Sequence, residues 1–238
     1  MSSTIGNTLR LTLFGRSHGP VIGMTLAGIP AGKALSPAAL QAFLDRRAPG
    51  RSPLSTARRE ADVPRFLSGL NGSVTTGEDI TAVIENTDVR SADYEILSAV
   101  PRPGHADYTA YVKYGRIEPG GGPFSGRMTA ALCIAGGICL QLLEQAGISV
   151  LSRIRSIGPV NDRGQLLSST ADKPFPVVDE AQGEAMAQAI LEAKAAGDSL
   201  GGVIECRILG VPAGVGGPLF DGLESRLSAA VFGIPAVK

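Results

Sequence analysis

The sequence predicts a mixed α+β fold. Short apolar segments typical of strands and longer segments typical of helices occur in unequal groups, and this grouping favours α+β layers over a doubly wound parallel sheet. Hydrophobic residues make up 44% of the 238 residues, enough for a substantial core. We find no internal repeat, low-complexity tract or dividing linker, so a single domain over residues 1–238 is the simplest organisation.

Four segments have the composition and length of strands. The segment 9–14 alternates leucines with polar residues, 21–27 is short and apolar, and the turn sequence GRSHGP lies between the two. Residues 79–86 and the segment GGVIECRILGV, 201–211, have the same character.

Four helices are predicted from capping signals and apolar periodicity. Ser36 is placed to cap a helix that begins at Pro37 and is stopped by Pro49 and Gly50. A helix from Gly126 to about Gly147 is apolar nearly all round, so we expect it to be buried rather than to cross a bilayer. The last two predicted helices begin at pairs with capping-box spacing, the first being closed by Gly197: Asp179 with Gln182, and Asp221 with Glu224.

Composition limits the partners and the compartment. The 22 basic residues balance the 22 acidic residues, so no global field attracts nucleic acid or an anionic membrane. Three widely spaced cysteines without a CxxC pair argue against a disulfide framework and against a zinc site, so we expect no metal. A reducing cytoplasm fits best, and the N-terminus lacks the pattern of a secretion signal.

The two histidines of the chain, His18 and His105, each lie in a glycine-containing loop. Imidazole transfers protons near neutral pH, and catalytic groups are common on loops held by a rigid scaffold. Either residue alone is equally consistent with a surface loop histidine. The region 94–122 around His105 is rich in Pro, Gly and Tyr and has no regular pattern, which is typical of functional loops.

Two further features favour anion binding. Five arginines occur within residues 46–59, where planar guanidinium groups suit carboxylate or phosphate, although a solvated basic loop has the same composition. The run GGG at 120–122 precedes Ser125 and the apolar helix, and a helix N-terminus offers free N–H groups to phosphate. This run also fits a simple flexible turn. The five arginines within residues 46–59 are Arg46, Arg47, Arg51, Arg58 and Arg59.

Longer motifs make a resemblance specific. The chain contains, in order, FGRSHGPVIGMTLAGIPAG, LDRRAPG, LSGLNGSVTTG, RPGHADYTAYVKYG, GGG with SGR, GDSLGGVIE and GIPAVK. From residue 4 to the last residue the chain resembles the chorismate synthase family. The resemblance implies a β-α-β sandwich with helices between two antiparallel sheets, a homotetramer, and a cytoplasmic enzyme of the shikimate pathway.

The activity that the resemblance implies is a lyase reaction. The family eliminates phosphate from 5-enolpyruvylshikimate 3-phosphate in an anti-1,4 sense and forms chorismate with reduced FMN, without net redox change. His18 is then expected to protonate or stabilise the departing phosphate, and His105 to do the same for the reduced flavin. No nucleic-acid or membrane partner is implied.

Binding residues follow from the same resemblance. The substrate-binding positions are Ser17, Arg46, Arg47 and Arg127. The flavin-binding positions are Pro123, Phe124, Ser125, Pro235 and Ala236, and Arg47 also matches a position linked to NADPH, which is a candidate source of electrons for the flavin.

The sequence departs from the family in several places. Arg16 stands where Glu is usual, Pro119 and Pro123 replace arginines beside the glycine run, and Pro53 replaces another arginine. The chain ends at Lys238, inside a family motif, so we expect either an incomplete sequence, a truncation, or a missing portion supplied by another chain. The alternative function is therefore a truncated, non-catalytic remnant or assembly partner of the same fold.

Overall fold

A computed structural model describes residues 2–50, 54, 60–87 and 100–238. The chain divides into two compact units. The first comprises Met1–Gly50, Ala57–Leu142 and Gly214–Lys238, and the second comprises Arg51–Thr56 and Leu143–Ala213. The single domain that the sequence favours stays a prediction.

The strands and helices alternate irregularly along the chain. The described strands are β1 Ser2–Ile5, β2 Arg10–Gly15, β3 Val21–Ala27, β4 Arg65–Ser68, β5 Leu70–Asn71, β6 Val74–Thr75, β7 Ile80–Glu85, β8 Ser149–Ile157, β9 Val160–Asn161 and β10 Gly202–Leu209. The described helices are α1 Pro37–Arg47, α2 Asp107–Tyr114, α3 Thr129–Gln145, α4 Glu180–Ala195 and α5 Leu223–Phe232.

In the first unit, five strands form an antiparallel sheet in the order β1-β2-β3-β7-β4. Side chains two residues apart share one face of a strand, and Ile22, Met24 and Leu26 on β3 are all buried. They lie next to the buried Ile80 and Ile84 of β7 in a single core cluster. The mixed α+β class with antiparallel sheets is therefore confirmed.

Helices α1 and α3 supply much of the rest of this core. Ser36 caps α1 by accepting a hydrogen bond from the N–H of Ala39, as the sequence predicts. Gly137 lets the two helices approach closely, because a Cβ at that position would lie 2.6 Å from the Leu40 Cδ1 atom. By length and composition alone, the segment Gly126–Gln145 resembles a membrane span, but the buried residues of α3 belong to the core cluster.

In the second unit, three strands form an antiparallel sheet in the order β10-β8-β9. Helix α4 packs against β8 and β9. Asp179 accepts a hydrogen bond from the N–H of Ala181 and caps α4, and Gly197 follows the helix with a φ of +70°, so both predicted ends are confirmed.

Two expectations from the sequence are wrong. Residues 107–114, placed in an irregular region, form α2. Tyr108, Tyr111 and Val112 have the i, i+3, i+4 spacing of a helix face, but this face is exposed and the helix has only eight residues, so the signal is short. Asp221 does not cap α5. It ends a short 3₁₀ turn and pairs with Arg226 at 2.9 Å, while Gly222 occupies the cap position.

Candidate functional site

The glycine run brings both histidines to one turn. Gly120 and Gly121 have φ values of 62° and 83°, the left-handed region that glycine adopts most readily. A Cβ on Gly120 would lie 2.1 Å from His18 Cε1, and one on Gly121 would lie 2.5 Å from His105 Cε1. A side chain at position 120 would therefore overlap the imidazole of His18, and one at position 121 would overlap that of His105.

Ser17 fixes the orientation of His18. Its side chain is fully buried, and its hydroxyl lies 3.1 Å from His18 Nδ1 and 3.3 Å from the Gly120 carbonyl oxygen. A hydroxyl that donates to that carbonyl can also accept the Nδ1–H of His18 through its oxygen. The neighbouring serine thus connects the imidazole to the glycine turn.

The loop that carries His18 is held from two sides. Asn86, which follows β7, donates from Nδ2 to the carbonyl oxygens of Arg16 at 3.0 Å and Gly19 at 2.8 Å. Arg16 in turn pairs with the buried carboxylate of Glu118 at 3.0 Å. The arginine that departs from the family pattern therefore has an acidic partner immediately before the glycine turn.

His105 precedes α2 and has a charged environment of its own. Its Nδ1 lies 2.6 Å from Asp107 Oδ1, and Arg102 Nε lies 2.7 Å from Asp107 Oδ2. Asp107 is 2% exposed. The hydrogen bond from Arg102 lowers the pKa of the Asp107 carboxyl from 3.8 to about 2, so this group is ionised at neutral pH.

A cavity of about 700 Å³ lies beside His105. His105 lines this cavity together with four of the five positions that the resemblance assigns to flavin, namely Pro123, Phe124, Pro235 and Ala236. These four residues come from two segments that are distant in sequence. Apolar groups from Leu13, Tyr114 and Met128 complete much of the wall, and Lys238 adds a cation. The fifth position, Ser125, instead caps the short 3₁₀ turn before α3 by accepting from the N–H of Arg127.

The predicted substrate arginines lie elsewhere. Arg127 is 4% exposed and pairs with Glu60 at 2.8 Å and with Asp62. Arg47 also pairs with Asp62, and its Nε donates to Thr129 Oγ1 at 3.3 Å. Two guanidinium groups and two carboxylates thus form a cluster without net charge, which we call the Arg127 cluster (Arg47, Glu60, Asp62, Arg127).

Arg46 belongs neither to the cavity nor to the Arg127 cluster in the described structure. It is exposed, and its guanidinium lies 5.8 Å from the centre of the Phe43 ring. Arg51, Arg58 and Arg59 of the predicted basic loop lie outside the described residues. A link nevertheless joins the Arg127 cluster to the His18 loop, because Asn86 Oδ1 accepts from Arg127 Nε at 3.2 Å.

Sequence reasoning missed several polar residues of the site. Asp107 and Arg102 lie within three residues of His105, so an acid and a base beside a histidine were a visible signal. Asn86 and Glu118 gave no such signal, because their contacts with the His18 loop join segments about 70 and 102 residues apart.

Known proteins resemble the chain over nearly its whole length. The family model for chorismate synthase matches residues 9–238. The chorismate synthase of Lancefieldella parvula is 42% identical over all of this chain and 68% of its own length, and that of Korarchaeum cryptofilum is 43% identical over 98% and 66%. A crystal structure of chorismate synthase superposes with a TM-score of 0.76 at 28% identity, covering 97% of this chain and 67% of that one. The chain spans about two thirds of the length of these proteins.

Proposed function

The chain belongs to the chorismate synthase family, and we propose that it contributes the flavin cavity and both histidines to the elimination of phosphate from 5-enolpyruvylshikimate 3-phosphate. The observation that carries this proposal is the meeting of His105 with Pro123, Phe124, Pro235 and Ala236 around one cavity.

The cavity has the properties that a flavin requires. Its walls combine aromatic and aliphatic side chains, which suit a flat conjugated ring, with a few polar groups that fix orientation. Gly121 keeps the turn free of a side chain where the His105 ring lies. Reduced FMN, when bound, supplies electron density to the substrate ring while phosphate departs.

The chain's own residues position ligands and handle protons. His105 faces the cavity and holds or releases a proton toward the flavin ring. His18, oriented by Ser17, stabilises the departing phosphate by donating a hydrogen bond or a proton from its ring. The glycine turn sets the two imidazoles against adjacent residues, so His105 would act on a flavin and His18 on a substrate bound at the same turn.

The remaining binding roles are proposals as well. Arg47 is 22% exposed, so it reaches an anion or NADPH by exchanging part of its contact with Asp62. Arg46 is exposed and available to a carboxylate of the substrate. Arg127 is buried, so it acts on the substrate through the His18 loop, to which Asn86 connects it. We further propose a cytoplasmic homotetramer, as in the family.

Titration with reduced FMN under anaerobic conditions tests the proposal. We expect a saturable spectral change, and Phe124→Ala should weaken binding about 10-fold because it removes aromatic contact with the ring. Tyr111→Ala is the matched control, since Tyr111 is 54% exposed on α2 and lies outside the cavity lining.

Two results would contradict the proposal. Absence of any saturable change would favour the non-catalytic remnant, and equal affinity of Phe124→Ala and the unmodified chain would place flavin away from this cavity. Formation of chorismate from 5-enolpyruvylshikimate 3-phosphate, measured with the same protein, then tests the complete activity.

A further inference from the structure

We infer that Asp107 is a positioning residue for His105: it holds the imidazole as the Nδ1–H tautomer and leaves the lone pair on Nε2 for a ligand in the cavity that His105 lines. The identity of the ligand in that cavity rests on the proposed function, but the tautomer does not.

The two nitrogen atoms of His105 have different surroundings. Nδ1 lies 2.6 Å from Asp107 Oδ1. The opposite edge of the ring faces the glycine turn, since a Cβ on Gly121 would lie 2.5 Å from Cε1 and 2.8 Å from Nε2. His105 also lines the cavity. The carboxylate therefore lies at Nδ1, whereas the Nε2 edge of the same ring packs against the glycine turn.

An ionised carboxylate decides where the proton of a neutral imidazole lies. Carboxylate oxygens only accept hydrogen bonds, so Asp107 Oδ1 requires a hydrogen on Nδ1. Asp107 remains ionised because its carboxyl has a lowered pKa of about 2, mainly through the hydrogen bond from Arg102. Nε2 then carries the lone pair of the neutral ring.

Arg102 restrains the carboxylate rather than competing for Nδ1. Its Nε and backbone N donate to Asp107 Oδ2 at 2.7 and 3.2 Å, and its Nη2 donates to Oδ1 at 3.0 Å. The same Nη2 lies 3.2 and 3.4 Å from the two ring nitrogens. A donor that is almost equally distant from both ring nitrogens lies over the face of the ring. It is therefore not aligned with the lone pair of either nitrogen, which lies in the plane of the ring.

A simpler role for Asp107 would be to stabilise the start of α2, of which it is the first residue. Its contacts point elsewhere. Both carboxylate oxygens are engaged by Arg102, and Oδ1 also meets His105 Nδ1. The carboxylate is thus oriented toward the histidine and its neighbouring arginine.

The fixed tautomer defines how His105 moves a proton. The neutral ring accepts a proton from a cavity ligand at the Nε2 lone pair, and the imidazolium returns that proton from Nε2. Nδ1–H stays bound to Asp107 throughout, so the positive charge that forms on the ring lies beside a carboxylate. An orienting aspartate has this role in hydrolase triads, where replacement by asparagine gives the wrong tautomer.

Nitrogen-15 NMR of the histidine rings provides the test, and the chain suits it because it contains only His18 and His105. At a pH where His105 is neutral, we expect the Nδ1–H pattern in the unmodified chain. In Asp107→Asn the side-chain amide can donate to Nδ1, so the Nε2–H form should become the major one. Arg102→Gln should keep the Nδ1–H form, because the accepting carboxylate remains.

The His18 signals report whether each variant is folded, and Asp79→Asn, at an exposed aspartate, is the matched control with an unchanged His105 spectrum. An Nε2–H ring in the unmodified chain overturns the inference without any variant, and so does an unchanged tautomer in folded Asp107→Asn. If the tautomer changes as expected but reduced FMN does not bind, the inference stands and the proposed function fails.

Discussion

The His105 cavity and the Arg127 cluster are both regions where the sequence indicates anion binding, yet they differ in available charge. At the cavity, His105 lines an open volume of about 700 Å³. Asp107 contacts its ring, and Arg102 contacts Asp107. In the Arg127 cluster, Glu60 and Asp62 neutralise the two guanidinium groups, and Arg127 is almost fully buried. A count of arginines therefore overestimates the charge that a ligand can meet.

This difference implies different roles for substitutions in the two regions. A buried ion pair is costly to break because the remaining charge stays desolvated. A ligand-facing group can be removed with little effect on stability, because water or a ligand replaces its contacts. Changes in the Arg127 cluster should thus act first on stability, and changes at the cavity first on binding.

The largest effect is expected from Arg127→Ala. The change leaves Glu60 and Asp62 with fewer partners in a buried site and should lower the free energy of unfolding by about 3–5 kcal/mol. The exposed Arg46→Ala should change it by less than about 0.5 kcal/mol. Urea unfolding of both variants measures the difference. Equal stability of the two variants would show that the Arg127 cluster is not a structural unit.

Gly120→Ala should have the next largest effect. Its Cβ would overlap the His18 ring and adopt a φ of 62°, so we expect a loss of about 2–4 kcal/mol and displaced His18 ring signals. Gly72 has a similar φ of 60° but nothing within 4 Å of its Cβ. Gly72→Ala isolates the backbone cost of about 1 kcal/mol. Equal losses would mean that His18 does not pack on the turn.

A smaller effect is expected from acid. The carboxyl of Asp107 has a lowered pKa of about 2 in the folded chain against an ordinary value of 3.8. The unfolded chain therefore takes up the proton first, so the contribution of Asp107 is present above about pH 4 and is lost as pH falls toward 2. The difference in unfolding free energy between the unmodified chain and Asp107→Asn should shrink by about 2 kcal/mol between pH 6 and pH 2. A constant difference would contradict the charged contact.

Local signals predicted much of the fold. Both ends of β3 and α1 coincide with the predicted boundaries, because a short apolar run and a Ser-Pro cap are determined by nearby residues. The sequence interpretation missed α2, whose apolar side chains are exposed, and it assigned the cap of α5 to Asp221, which instead pairs with Arg226. The sequence interpretation also missed β8, in which Arg153 is buried beside Glu205 and Asp162.

The site was predictable only in part. Residue chemistry singled out the two histidines and the glycine run, and the family resemblance added Phe124 and Pro235, which are more than 100 residues apart and share a cavity only in the folded chain. The neutralising role of Glu60 and Asp62 depends on where their loop lies against α1 and the 3₁₀ turn before α3, so it follows from the fold rather than from the RREAD sequence.

The most direct measurement of the central claim is the histidine ring spectrum during anaerobic titration with reduced FMN. If both imidazoles lie against one turn beside the flavin cavity, the ring signals of His18 and His105 should shift together along one saturation curve, while the Nε signal of Arg127 stays unchanged. Saturable flavin binding that leaves both imidazoles unchanged, or that shifts the Arg127 signal instead, would contradict the account.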